Sequence, residues 1–302
     1  MKAALCTKYG PPNVVKITEI EKPVPKDNEV LIRIYATTVA SGDCRVRGRD
    51  FPKPLGLIMR LILGIRGPRR SVLGTELSGE IEAVGKNVDT FRPGDAVFAM
   101  TGMKFGAHAE YIVLPKNGKI ISKPKNATYE QAAAITFGGT SAMHFLRKGR
   151  IQKGQRVLIY GASGAVGTYA VQLAKYFGAE VTGVCSTENV PLIKTLGADH
   201  TVDYKKEDFR NQEQRYDIIF DAVGKIKKRS CKNALTANGK FVTVASGPAA
   251  ELMEDLILLK ELIESNKIEP VIDRVYDLEQ IVEAYEYVET GRKKGNVVIK
   301  IS

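Results

Sequence analysis

At 302 residues, 44% apolar and 26% charged, the chain is long enough for one large or two medium domains and too apolar for a disordered one. The net charge of +11 sits in basic clusters at 66–70, 225–229 and 292–294 without interleaved aromatics. It reads as solvated surface that helps attract an anionic cofactor, not as a nucleic-acid interface.

Residues 1–120 read as short strands and turns. The start, Met1 to Cys6, lacks the long apolar core of a secretory signal. Segments 30–35 (VLIRIY), 77–84 and 109–114 are β-rich, and Pro93-Gly94-Asp95 is a turn feeding a strand at 96–99. From about residue 130 the pattern changes. A helix at 130–146 leads to strand 156–160, a glycine turn and helix 165–177. Strand 180–185, helix 189–196, strands 200–203 and 216–222, helix 230–235 and strand 240–245 follow. Strands alternating with helices predict a parallel, doubly wound sheet with right-handed crossovers. Helix 251–265, strand 268–275, helix 278–289 and strand 296–301 complete the chain and read as a return to the first domain. No run approaches the roughly 18 apolar residues of a membrane-spanning helix. Four scattered cysteines (Cys6, Cys44, Cys185, Cys231) suit reduced thiols and a cytoplasmic protein.

The turn after strand 156–160 runs Gly161, Ala162, Ser163, Gly164, Ala165, Val166, Gly167. A dinucleotide pyrophosphate needs backbone amides aimed at it and no side chains in the way. A glycine turn feeding a helix N-terminus supplies both. As G-x-G-x-x-G, the first glycine is replaced by Ala162, while Gly164 and Gly167 keep the spacing. The second strand ends in Ser186 and Thr187, where a ribose-binding carboxylate would stand. Hydroxyls can donate to a 2′-phosphate that a carboxylate would repel, so NADPH is expected over NADH. Tyr204 and Lys205 are further candidate contacts, and Glu188 counts against phosphate. Ala222, Val223, Ser246 and Gly247 are also candidate cofactor contacts.

Six segments stand together in the chain: GTELSGE at 74–80, AVG at 83–85, RPGDAV at 92–97, GAHAEY at 106–111, the turn 161–167 and GNVV at 295–298. By them the chain resembles the medium-chain dehydrogenase/reductase superfamily, in its zinc-free quinone oxidoreductase-like branch. The resemblance covers nearly the whole chain. It implies a GroES-like β-barrel domain at 1–122 and 266–302, a Rossmann domain at 123–265, and an active site in the cleft between them. The zinc-ligand positions of zinc-dependent relatives align with Ala40, Thr75 and Phe137, none of which suits zinc. Cys44 lies four residues from the first and has no partners, and the four-cysteine structural lobe is absent. His108 and His144 read as structural.

The resemblance places Ser41, Asp43, Arg47 and Thr140 at the catalytic site and Met100, Phe105 and Phe137 in the substrate pocket. Asp43 reads equally as a helix-start cap, and Arg47 either steers an acceptor oxygen or pairs with Asp43. Without a metal or a Ser-Tyr-Lys relay, quinones and conjugated enones are the expected acceptors. Hydride addition to them leaves a delocalised anion that water or a hydrogen-bond donor can protonate. The alternatives are an enoyl-thioester or alkenal reductase, or a non-catalytic NADPH-binding protein that senses redox state or binds RNA.

Two departures remain. Segment 55–65 (LGLIMRLILGI) is apolar, interrupted by Arg60 and flanked by Lys53, Arg66, Arg69 and Arg70. It reads as a helix near the pocket mouth, with a membrane-surface contact as the alternative. After strand 240–245 the chain passes through Ser246, Gly247 and Pro248 almost directly into helix 251–265, so the sixth Rossmann strand is expected to be missing. That strand often pairs across a dimer in relatives, so a monomer is expected.

Overall fold

A computed structural model describes residues 1–51 and 55–301, and Lys53 lies outside the described residues. Two units emerge: Met1–Thr136 with Ile272–Ser302, and Phe137–Val271.

The first unit begins with an antiparallel pair, β1 (Lys2–Cys6) and β2 (Val15–Glu19). Then come β3 (Glu29–Thr38), α1 (Ser41–Gly48), α2 (Leu55–Leu63), β4 (Glu76–Val84), β5 (Ala96–Met100), β6 (Tyr111–Pro115), β7 (Lys119–Ser122) and the short α3 (Tyr129–Ala133). In β3, Val30, Leu31, Ile32, Ile34 and Ala36 to Thr38 are buried and only Arg33 faces solvent, as in a strand covered over most of both faces.

The second unit holds α4 (Thr136–Gly149), β8 (Arg156–Tyr160), α5 (Ala165–Tyr176), β9 (Glu180–Cys185), α6 (Val190–Thr195), β10 (His200–Asp203), β11 (Tyr216–Asp221), β12 (Leu235–Thr243) and α7 (Met253–Glu264). The chain then returns to the first unit with β13 (Ile272–Asp277), α8 (Ile281–Glu289) and β14 (Asn296–Lys300). β14 lies between β13 and β3, pairing parallel with the former and antiparallel with the latter. The expected GroES-like β domain and Rossmann-type parallel sheet are both present.

The parallel sheet has five strands in the order β10-β9-β8-β11-β12. Its inner strands are continuous apolar runs: Val157, Leu158 and Ile159 in β8 and Ile218, Ile219 and Phe220 in β11 are fully buried, as expected where helices cover both faces. No sixth strand follows β12 among the described residues.

Several boundaries differ from expectation for identifiable reasons. The helix expected at 130–146 splits into α3 and α4. All five residues from Ala132 to Thr136 are fully buried, which no single helical stripe can achieve, so the chain turns there. Because α3 packs on β3 and β4, the first unit runs past the expected boundary at 122 to Thr136. The helix expected at 230–235 is a 3₁₀ segment, Lys228–Ala234. Its buried residues, Cys231 and Ala234, are three apart, the repeat of that tighter helix. The last parallel strand begins at Leu235 and stops at Thr243, whose hydroxyl accepts from the Ala245 N–H and turns the chain.

Candidate functional site

The glycine turn sits at the carboxyl end of β8, where ligands bind open α/β sheets. The Gly161 and Ala162 N–H groups both donate to the Val184 carbonyl, at 3.1 and 3.0 Å, pinning the turn to β9. A Cβ at Gly167 would drive into the Gly161 carbonyl and the Ala162 backbone, so only glycine lets α5 approach the turn this closely. Ala162 is fully buried, and it fits because β9 offers Gly183 opposite, where a Cβ would come within 3.3 Å of its methyl. α5 has 12 residues, and the residue that caps its start, Gly164, brings no side chain to the exposed amides. The positive end of its dipole is therefore open to an anion, and the geometry fits a dinucleotide pyrophosphate.

Asn189, absent from the sequence expectations, ties this region together. Its Nδ2 donates to Ser163 Oγ and Ser186 Oγ, each at 3.1 Å, joining the glycine turn to the end of β9. Its Oδ1 is buried without a hydrogen-bond partner. Thr187 donates to Asp203 Oδ2 at 2.6 Å, so this hydroxyl is engaged by a carboxylate the sequence reading overlooked. Lys205 pairs with Glu188 at 3.1 Å, which offsets the charge that counted against a phosphate there. Tyr204 is exposed.

Asp221, at the end of β11, was also missed. One carboxylate oxygen accepts from the N–H groups of Val223, Gly224 and Lys225, at 3.3, 2.9 and 3.2 Å. The other accepts from the Ile226 N–H and the Thr243 hydroxyl, each at 3.1 Å. This carboxylate fixes the loop carrying Ala222 and Val223, and a side chain at Gly161 would collide with the Val223 methyls. A lone Asp at a strand end was its only signal. Ser246 is exposed, donating to the Thr243 carbonyl at 2.8 Å and accepting from Lys148 at 3.1 Å, with Gly247 exposed beside it.

In the first unit, Asp43 lies in the first turn of α1 and is buried. Its carboxylate accepts from the Ala40 N–H at 2.8 Å and the Gly74 N–H at 3.2 Å, so it clamps the helix start to the segment leading into β4. This is the cap reading, extended to a second segment. Burial pushes its carboxyl up to about 7, against the pull of those amides.

Arg47 corrects the expectation. It is 1% exposed, bonds the Gly10 carbonyl and Glu289, and lies over the Tyr285 ring, 5.1 Å from its centroid. It pairs with neither Asp43 nor open space, because its partners are supplied by distant segments. Ser41, on the same helix, is exposed.

Met100 opposes Glu76 in the β4–β5 register and is buried. Phe105 follows a 3₁₀ turn at Gly102–Lys104 with a φ of 54° and is also buried. The Thr101 hydroxyl donates to the Gly74 carbonyl at 3.3 Å, and the Gly106 N–H to the Leu73 carbonyl at 3.2 Å. Asp43, Met100 and Phe105 thus converge on residues 73–76. Phe137 and Thr140 lie on α4 in the second unit, with Thr140 fully buried.

His108 is buried beside this cluster. Its Nε2 lies 2.9 Å from the Thr38 carbonyl, which can only accept, so the proton sits on Nε2. Nδ1 faces the Tyr285 hydroxyl at 3.4 Å. Burial pushes its pKa down to about 4, so it is neutral at physiological pH. Burial also pushes the Cys44 thiol up to about 12, keeping it from acting as a thiolate. His144 Nδ1 accepts from the Ala250 N–H at 3.2 Å. Among the described residues no three His, Cys, Asp or Glu side chains are grouped to hold a metal.

Comparison with known proteins places this geometry. Residues 26–125 match the alcohol dehydrogenase GroES-like domain, and residues 165–268 and 250–299 match two zinc-binding dehydrogenase models. The chain is 33% identical to the 2-methylene-furan-3-one reductase of Solanum lycopersicum, over 99% of this chain and 79% of that protein. It is 30% identical, over the same shares, to the chloroplastic NADPH-dependent alkenal/one oxidoreductase of Arabidopsis thaliana. Among solved structures, the quinone oxidoreductase from Coxiella burnetii superposes with a TM-score of 0.86 at 27% identity, covering 100% of this chain and 99% of that one.

Proposed function

The chain belongs to the medium-chain dehydrogenase/reductase superfamily, and from that premise we propose that it is a zinc-independent, NADPH-dependent oxidoreductase that reduces quinones or conjugated enones by hydride transfer. The observation that carries this reading is the uncapped N-terminus of α5 behind a glycine turn that admits no side chain at position 167. When bound, the reduced nicotinamide supplies the hydride.

This chain's own residues bind and orient. The α5 amides hold the diphosphate, and Asn189 ties the glycine turn to the end of β9 through Ser163 and Ser186. Asp221 fixes the Val223 loop. The Asp43 carboxylate is committed to two backbone amides, so it positions α1 against residue 74 rather than moving a proton. The positions aligned with zinc ligands, Ala40, Thr75 and Phe137, do not fit the metal: Ala and Phe have no donor atom. Acceptors whose reduced form is a delocalised enolate or hydroquinone anion need no Lewis acid, and water or a hydroxyl completes protonation. The alkenal and furanone activities named for the relatives favour enones within this class.

The test is NADPH consumption with simple quinones and enones in a chelated buffer. Failure to turn over either class, or dependence on added zinc, overturns the reading. The NADPH preference rests on Ser186 and on Lys205. Lys205→Ala is expected to raise the KM for NADPH about tenfold, the loss of one charge-assisted hydrogen bond, and to leave that for NADH unchanged. Equal effects on both cofactors would place the 2′-phosphate elsewhere.

The free, largely buried cysteines support a reducing, cytoplasmic setting. No described helix is long and apolar enough to cross a membrane.

A further inference from the structure

We propose that the outer surface of α2 and the turn that follows it is a docking site for an anionic lipid surface. Met59 and Leu63 turn inward onto the core of the first unit, while Leu61, Ile62 and Ile65 stand 61%, 52% and 58% exposed. Three large aliphatic side chains within five residues form an apolar patch of the kind that marks an interaction site.

The turn that presents them is held in place. The Tyr9 hydroxyl donates to the Gly64 carbonyl at 2.9 Å, and the Arg69 N–H to the Leu63 carbonyl at 2.6 Å. Gly67 lies so close to the Thr7 carbonyl that a Cβ would collide with it and crowd the Lys8 Cα, and Pro68 is buried. The next residues are tied to β1, with Cys6 N–H donating to Ser71 at 2.7 Å and Leu5 bridging Val72. A patch on a fixed turn loses little conformational entropy when it docks.

The charge around the patch identifies the occupant. The turn at residues 64–70 contains Arg66, Arg69 and Arg70 and no acidic residue. Arg66, Arg69 and Arg70 are exposed, and among the described residues no ion pair engages them. A second copy of the chain would set these arginines against their like. A nucleic acid would be met by aliphatic rather than stacking side chains. Anionic lipid offers phosphate for the arginines and acyl chains for Leu61, Ile62 and Ile65, the two attractions that hold peripheral proteins at an interface.

The experiment is flotation of the full chain with vesicles of phosphatidylcholine alone and of phosphatidylcholine with phosphatidylglycerol, at low and high salt. Binding to the charged vesicles that weakens with salt is expected. Arg66→Gln/Arg69→Gln/Arg70→Gln is expected to weaken it roughly a hundredfold and to remove most of the salt dependence. Leu61→Ser/Ile62→Ser/Ile65→Ser is expected to weaken it about tenfold or more while some salt-sensitive binding remains. Both variants keep the circular dichroism of the parent and its turnover of a water-soluble enone. The vesicle readout uses no turnover, so it fails or succeeds independently of the catalytic reading. Equal binding to both vesicle types, binding to neither, or variants that bind like the parent would overturn the proposal. Self-association abolished by the aliphatic substitutions would also overturn it, by giving the face to a second copy.

Discussion

Gly167 is packed so closely on Gly161 and Ala162 that the strand–turn–helix junction leaves no room for a side chain. Gly167→Ala should therefore cost roughly 1–3 kcal/mol of stability and weaken NADPH binding at least about tenfold, because the backbone rather than a flexible side chain must give way. Chemical denaturation and calorimetry measure the two effects, and an unchanged Kd would move the diphosphate away from this turn. His108 supplies a pH signature. Its folded pKa, about 4, lies below its ordinary value, so the unfolded chain binds the extra proton first. The stability it contributes is present above about pH 6.5 and is lost as pH falls toward 4, by roughly 3 kcal/mol. Asp43, raised to about 7, acts with the opposite sign across the same window, so His108→Gln is compared with the parent rather than the parent slope read alone. The variant should flatten the acid-side fall in Tm, and an unaltered profile would show that His108 is protonated in the folded state. The glycines were legible from their spacing after a strand. Arg47 was not, because Gly10 and Glu289 lie 37 and 242 residues away and no local pattern reveals such partners.

Among the elements, β11 and the loop after it depend on a single carboxylate. Asp221 is fully buried and accepts four backbone N–H groups and one hydroxyl. Asp221→Ala should cost about 3 kcal/mol, because several buried donors lose their acceptor together. It should also weaken NADPH binding, since Val223 would no longer be held against Gly161. Denaturation with calorimetry reads both, and unchanged values would leave the loop fixed by other means. The strand–helix alternation of the second unit was readable from periodicity, since its buried parallel strands are unbroken apolar runs. The 3₁₀ segment Lys228–Ala234 and the division between α3 and α4 were not, because both depend on which tertiary surface each buried side chain meets.

At the scale of the whole molecule, the parallel sheet ends in β12 on one side, with nothing further paired to it among the described residues. That edge carries Thr236, Asn238 and Lys240, polar and charged residues that discourage strand addition. Sedimentation velocity at micromolar concentration should accordingly give a monomer, and a tight dimer would contradict this. The missing strand was legible as a short connection after Ser246. The arrangement of the first unit was less so, because β14 joins β3 across almost the full length of the chain.

That last pairing bears on synthesis. The second unit is one uninterrupted stretch and can fold as soon as it leaves the ribosome. In the first, β6 covers Glu29 to Arg33 of β3, but Ala36, Thr37 and Thr38 stay unpaired on that edge until β14 emerges, roughly 10–30 s after Thr136 at ordinary elongation rates. A nascent chain of this protein thus carries a short open β-edge over that interval, and chaperone capture during it would protect the yield of folded molecules.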